Sequence, residues 1–213
     1  MSNQQKQISF TLTCFSAFVL LLFSITTRAA WVKQFDYTIN DWLHQSLSLK
    51  FKPILIGITT LGNPTSIIGL VLLVCLICYH YKLYSAAGFV LFNVTIYTSL
   101  NHVIKGLVAR PRPAYEHFVH AGGYSFPSGH ASGSLLFWGS LWILSRYLIQ
   151  NRTWRRVSTI ICALLPLLIG LSRIYVQVHY PTDVLGGFLL AAGCLSLTSL
   201  AFKQQQLFPN LHD

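Results

Sequence analysis

Six stretches of 16 to 20 residues without a single Asp, Glu, Lys or Arg punctuate this chain, and they constrain its fold more than any other feature. They run from Ile8 to Thr27, Pro64 to Tyr79, Ser85 to Ile104, Gly129 to Ser145, Val157 to Ser172 and Val184 to Phe202. The second extends backward through the milder apolar segment Pro53 to Leu61. A helix needs about 20 apolar residues to cross a hydrocarbon core roughly 30 Å thick. Charged residues make up 9% of the chain, against about 25% in a soluble domain. The expected fold class is all-α: a polytopic membrane protein with six transmembrane helices, one membrane-embedded domain over residues 1–213.

The first stretch also invites reading as a secretory signal, with Lys6 before it and Arg28-Ala29-Ala30 after it. Its length exceeds the roughly 7–15 apolar residues of a cleavable signal, which favours a retained helix. Cys14, Cys75, Cys78, Cys162 and Cys194 all fall inside predicted spans. Packing is their expected use; neither a disulfide framework nor a redox or zinc site is expected.

The net charge of +10 has two better uses here than nucleic acid, which is not an expected partner. One is topology. Arg146, Arg152, Arg155 and Arg156 crowd the short loop after the fourth stretch, with no acid among them. Short basic loops stay cytoplasmic, so both termini are expected in the cytoplasm of a cell-membrane protein. Arg28, Lys33, Lys50 and Lys52 then fall on the outer side, against the rule. Part of that segment, Trp31 to Leu49, reads as an amphipathic helix lying in the interface, with Trp31, Phe35, Ile39, Trp42 and Leu43 on one side.

The second use is a phosphate site. In this topology three polar clusters meet at the outer face: Lys105 to Pro113, Tyr124 to His130, and Ser172 to Asp183. Ionisable residues at membrane depth are costly, which makes them functional candidates. Lys105, Arg112 and Arg173 supply three cations for a doubly charged phosphate. Ser128-Gly129-His130 opens the fourth helix, where free backbone N–H groups favour an anion, and Gly129 allows close approach. Asp183, the only acid adjacent to a span, stands four residues after His179 and suits holding one imidazole nitrogen so that the other can attack phosphorus. His130 suits protonating the leaving oxygen. Each residue also has a plain reading: Lys105 and Arg110 as snorkelling side chains, Arg112 and Arg173 as interface anchors, Ser128 as a helix cap, His179 and Asp183 as a structural pair. Their coincidence on one face is what favours chemistry.

The order K-x6-R-P, then P-S-G-H, then S-R-x5-H-x3-D resembles the three-part signature of the type-2 phosphatidic acid phosphatase superfamily, membrane branch. Lys105, Arg112, Pro113, Pro127, Ser128, Gly129, His130, Ser172, Arg173, His179 and Asp183 fill every signature position, over residues 105–183. The resemblance implies an all-helical core shared with vanadium-dependent haloperoxidases and a phosphohistidine intermediate. It implies catalytic roles for His179 as nucleophile, Asp183 as its orienting partner and His130 as general acid. Lys105, Arg112, Ser128, Gly129 and Arg173 would bind phosphate. No cofactor or metal is expected, and a single Asp offers little to a hard cation.

The expected activity is hydrolysis of the terminal phosphate of a lipid phosphate or diphosphate, with that lipid and the bilayer as partners. Undecaprenyl diphosphate, phosphatidylglycerophosphate and phosphatidic acid all fit, and an outward-facing site favours the first. The alternative is a protein that binds or moves lipid phosphates without hydrolysing them, for which an oriented nucleophile is superfluous. No oligomeric state follows from the sequence.

Overall fold

The computed structural model describes residues 1–47 and 49–204. Ser48, near the end of the expected interfacial segment, and residues 205–213, the expected cytoplasmic tail, lie outside the described residues. Among the described residues all regular structure is helical: α1 (Asn3–Thr26), α2 (Ala30–Ser46), a 3-10 turn (Leu49–Phe51), α3 (Lys52–Thr60), α4 (Pro64–His80), α5 (Tyr84–Val108), α6 (Gly129–Leu148), α7 (Arg152–Tyr175) and α8 (Pro181–Gln204), with an irregular segment over 109–128 between α5 and α6.

Four of these, α1, α5, α7 and α8, are individually long and apolar enough to cross a membrane. The bent pair α3 and α4 adds a fifth if it is counted as one span. Large apolar side chains such as Leu20, Phe23, Leu72, Leu76, Ile160 and Leu167 face outward, the reverse of a soluble protein. A membrane protein is the arrangement that spares them contact with water.

Helix α6 sits centrally, packed on α5, α7 and α8, and is not among the four. Its buried Ser132, Gly133, Ser134, Gly139 and Ser140 dilute its hydropathy, and Gly139 lets α8 come close. A Cβ on Gly139 would stand 2.4 Å from Leu195 Cδ2 of α8.

Two expectations need correcting. The second stretch and its backward extension form two helices, bent by 50° at the break that holds Gly62 and Asn63. Gly62 faces α7 so closely that a Cβ would lie 2.6 Å from Ile169 Cγ2, and Pro64 starts α4 with the φ a helix needs. Helix α2 forms as expected, but Leu43 does not belong to its outward side. The buried stripe is Val32, Asp36, Asn40 and Leu43, whereas Trp31, Phe35 and Trp42 are exposed. The helix turns two polar residues toward α7 and α8 and its aromatics away from them.

Candidate active site

The C-terminal ends of α5 and α7 and the N-terminal ends of α6 and α8 gather at one end of the bundle, and they bring the three polar clusters together. Helix α5 stops where Ala109 adopts a left-handed conformation (φ 50°), and the following Arg-Pro-Arg-Pro cannot continue a helix. A residue before proline is pushed into extended conformation, so this segment leaves the helix and runs along the start of α8. Arg110 reaches Asp183 and Arg112 reaches His179.

His179 and Asp183 are both buried, at 2% and 0% exposure. His179 Nδ1 lies 3.5 Å from Asp183 Oδ2 and 3.3 Å from Ser125 Oγ, while the Ser125 hydroxyl donates to Asp183 Oδ2. On the other side of the ring, Arg112 Nη1 stands 3.3 Å from His179 Nε2. A guanidinium can only donate, so Nε2 carries a lone pair and the ring proton sits on Nδ1 between Asp183 and Ser125. Burial pushes the His179 imidazole down to about 4, and the Asp183 carboxylate opposes that shift. At neutral pH the ring is therefore uncharged.

Arg112 also donates through Nη1 to Val178 O (2.7 Å), through Nη2 to Gly122 O (2.7 Å) and through Nε to Gly123 O (3.1 Å). Lys105 Nζ donates to Tyr124 O at 2.8 Å and Ser125 O at 3.4 Å, beside the same loop. Arg173, 4% exposed, donates from Nη1 to Thr59 Oγ1 at 2.8 Å, and its Nε is buried without a hydrogen-bond partner among the described residues. Such orphan donors are rare and mark a candidate contact for an anion.

Ser128 caps α6: its Oγ accepts from Ala131 N at 3.5 Å, and its own N–H donates to Asp183 O at 2.9 Å. Helix α8 can press against that corner because Gly186 and Gly187 lack side chains. A Cβ on Gly186 would meet the Phe126 ring at 2.3 Å, and one on Gly187 would meet Ser128 O at 2.7 Å. At Gly129 a Cβ would find only Asn101 Oδ1, at 3.8 Å, so packing does not require glycine there.

His130 faces the bend between α3 and α4, where Asn63 Oδ1 lies 2.8 Å from its Nε2. It sits within electrostatic reach of Arg173, His179, Arg112 and Lys105. Ser172 is buried and donates to Ile169 O at 2.7 Å within its own helix, a contact that tightens the last turns of α7.

Arg110 is no snorkelling side chain. It donates to Asp183 Oδ1 (2.6 Å) and to Asp36 Oδ2 (2.7 Å), and is 14% exposed. Asp183 is therefore not the only acid at the site, because α2 inserts Asp36, 1% exposed, against the start of α8. Asp36, Asn63, Ser125 and Thr59 were not among the residues expected here. Ser125 lies within one of the quoted clusters; nothing in the local sequence singles out the other three.

The matched family accounts for this arrangement: residues 86–207 match the PAP2 superfamily. The chain belongs to that superfamily. The solved PAP2-type phosphatidylglycerolphosphate phosphatase of Bacillus subtilis superposes with a TM-score of 0.82 at 26% identity, covering 92% of this chain and 96% of that one. Phosphatidylglycerophosphatase B of Bacillus subtilis is 29% identical over 185 residues, 83% of this chain and 86% of that protein. The undecaprenyl-diphosphatase BcrC of the same organism is 37% identical over 99 residues, 43% of this chain and 45% of its own. These PAP2 relatives are named as lipid phosphatases and diphosphatases.

Proposed function

We propose that this PAP2 protein hydrolyses the terminal phosphate of a membrane lipid phosphate or diphosphate through a phosphohistidine on His179. The observation that carries the reading is the imidazole itself: Nδ1 is held by Asp183 and Ser125 while Nε2 presents a lone pair beside Arg112. A protein that merely bound lipid phosphates would need the cations but not this held tautomer.

In the first step Nε2 attacks phosphorus, the P–N bond forms and the P–O bond to the lipid breaks. The positive charge gained by the ring is met by Asp183. Arg112, Arg173, Lys105 and the N–H groups at the start of α6 bind the phosphoryl oxygens, where charge is spread in the transition state. Arg173 Nε gains a partner in that step. His130 donates its proton to the departing alkoxide or lipid phosphate. In the second step His130 takes a proton from water, the water oxygen attacks phosphorus, the P–N bond breaks and inorganic phosphate leaves. Side-chain cations carry the electrostatic work, and the reading assigns no step to a metal.

Six crossings fit the bundle when α3 and α4 together count as one and the centrally packed α6 as another. With Arg146, Arg152, Arg155 and Arg156 at the end opposite the site, the basic-loop rule puts that end in the cytoplasm and the site outside. The exposed aromatic side of α2 suits the outer interface. An outward site favours a polyprenyl diphosphate, with phosphatidylglycerophosphate and phosphatidic acid as further substrates.

The test is phosphate release by detergent-purified protein in excess EDTA, with undecaprenyl diphosphate, phosphatidylglycerophosphate and phosphatidic acid compared. Release that disappears in His179→Ala supports the mechanism, and the order of rates assigns the substrate. Folded protein that releases phosphate from none of them refutes the hydrolase reading.

A further inference from the structure

We propose that Asp36 and Arg110 are positioning residues for the His179–Asp183 pair: a buried chain of charges runs from α2 through Arg110 to Asp183 and fixes the carboxylate that holds the imidazole. This rests on the reading of His179 as the reacting group.

The geometry divides the two oxygens of Asp183. Oδ1 takes Arg110 Nη1 at 2.6 Å. Oδ2 takes the Tyr180 N–H at 2.8 Å and the Ser125 hydroxyl, and faces His179 Nδ1 at 3.5 Å. Rotating the carboxylate breaks the guanidinium contact, so Arg110 sets which oxygen faces the imidazole. Arg110 is itself set from behind. Its Nη2 donates to Asp36 Oδ2 at 2.7 Å, its Nη1 also donates to Thr182 Oγ1 at 2.8 Å, and its Cζ lies 4.2 Å from the centre of the Tyr180 ring. Asp36 in turn accepts from Thr182 N–H (2.9 Å, Oδ1) and Thr182 Oγ1 (2.9 Å, Oδ2), so one carboxylate of α2 grips both Arg110 and the first turn of α8. The planar fork of arginine can bridge two carboxylates at once, whereas a lysine ammonium is a single point.

The same chain meters charge. His179 faces Asp183 from α8, Lys105 from α5, His130 from α6 and Arg112 from the segment after α5, while Arg173 of α7 bears on His130 and Arg110 bears on Asp183. An unopposed Asp183 would favour the protonated imidazole, which cannot attack. Arg110 offsets that pull, and Asp36 offsets part of Arg110. The two carboxylates outweigh the effect of burial on Arg110 and keep it charged, while burial pushes Asp36 up and the Thr182 N–H and Arg110 pull it down.

A strap that merely pinned α2 to α8 would give the two residues the same phenotype. A positioning and charge-metering role gives them opposite ones. The test follows the histidine carbons of 13Cε1-histidine-labelled protein by NMR across acid to neutral pH, with His179→Gln assigning the signal. Arg110→Gln removes a cation, so the His179 midpoint should rise, by about one pH unit. Asp36→Asn removes an anion, so the midpoint should fall, by about half a unit. In turnover assays Arg110→Gln should lower kcat roughly 10- to 100-fold with KM nearly unchanged, and Arg110→Lys should restore part of it. Midpoints that stay within about 0.3 unit of wild type, or that move the same way in both variants, overturn the proposal. Should Arg110→Gln not fold, Asp36→Asn and Arg110→Lys still decide it, because the first must move the midpoint down. The NMR arm needs no turnover: wild-type protein that releases no phosphate sinks the hydrolase reading, and the midpoints still judge this one.

Discussion

Gly187→Ala is a one-methyl change at a residue with no proposed chemical role, one turn after Asp183 on α8, and it should nonetheless disable the site. The added Cβ would lie 2.7 Å from Ser128 O, 3.2 Å from Ala131 Cβ and 3.3 Å from Ser132 N. The first of these is backbone at the cap of α6 and cannot rotate away. Restoring ordinary contact at about 3.4 Å means moving α6 from α8 by about 0.7 Å, along the corner that carries Ser128, Gly129 and His130. Overpacking of this kind costs about 1–3 kcal/mol, and the better helix propensity of alanine returns about 1. Net destabilisation should therefore be small, about 0–2 kcal/mol. Displacing the amides proposed to bind phosphate and the histidine proposed to donate a proton by most of an ångström should cost kcat/KM roughly 10- to 100-fold. Two variants calibrate the result. Gly139→Ala puts a Cβ 2.4 Å from Leu195 Cδ2, a flexible tip remote from the site, so it should lower thermal stability and leave turnover alone. Gly133→Ala meets nothing within 4 Å and should leave both unchanged or raise stability slightly. Phosphate release and thermal unfolding in the same detergent provide the measurement. Wild-type turnover in Gly187→Ala, or an equal loss in Gly139→Ala, would refute the claim that helix separation sets the site.

Ser125→Ala should lower kcat about tenfold, since it removes a buried hydroxyl that serves both Asp183 and His179; unchanged single-turnover rates would contradict the shared contact. Asn63→Ala frees His130 Nε2 and should lower kcat about 3- to 10-fold with little change in KM, read from steady-state kinetics. With His179 held near 4, the acid limb of kcat/KM should fall near pH 4, not at the ordinary histidine value of about 6.5. The sign for stability is the same: a folded-state value below the unfolded one stabilises fully above about pH 6.5, and that contribution is lost as pH falls toward 4, which thermal unfolding against pH will read.

The helical class and the three clusters were legible because each rests on short-range information: charge-free runs report spans, and the fixed spacing of Arg173, His179 and Asp183 reports one turn between two helices. The contribution of α2 was not legible. Its sequence suggests an aromatic side and a polar side, and an amphipathic helix at a membrane is ordinarily expected to turn the polar side to water. Here the polar side meets Thr182 and Arg110, partners more than 70 residues away. Asn63 was hidden for a related reason: a Gly-Asn-Pro break looks like punctuation, and only the 50° bend brings its amide to His130.

Composition held a quieter clue to Arg110. The chain has 15 Lys and Arg against 5 Asp and Glu, and one of those five, Asp36, lies in the middle of a helix otherwise suited to an interface. Burying an unpaired carboxylate costs several kcal/mol, so an acid retained in such a place needs a cation. Arg110, two residues from the arginine proposed to bind phosphate, was available for that role. Two arginines separated by one proline thus divide the work by direction. Arg112 faces the lone pair of His179, where a phosphate would sit, and Arg110 faces the carboxylate behind it. An Arg-Pro-Arg-Pro segment rigid enough to hold both is a way to place one cation on each side of a histidine–aspartate pair without letting either neutralise the other's target.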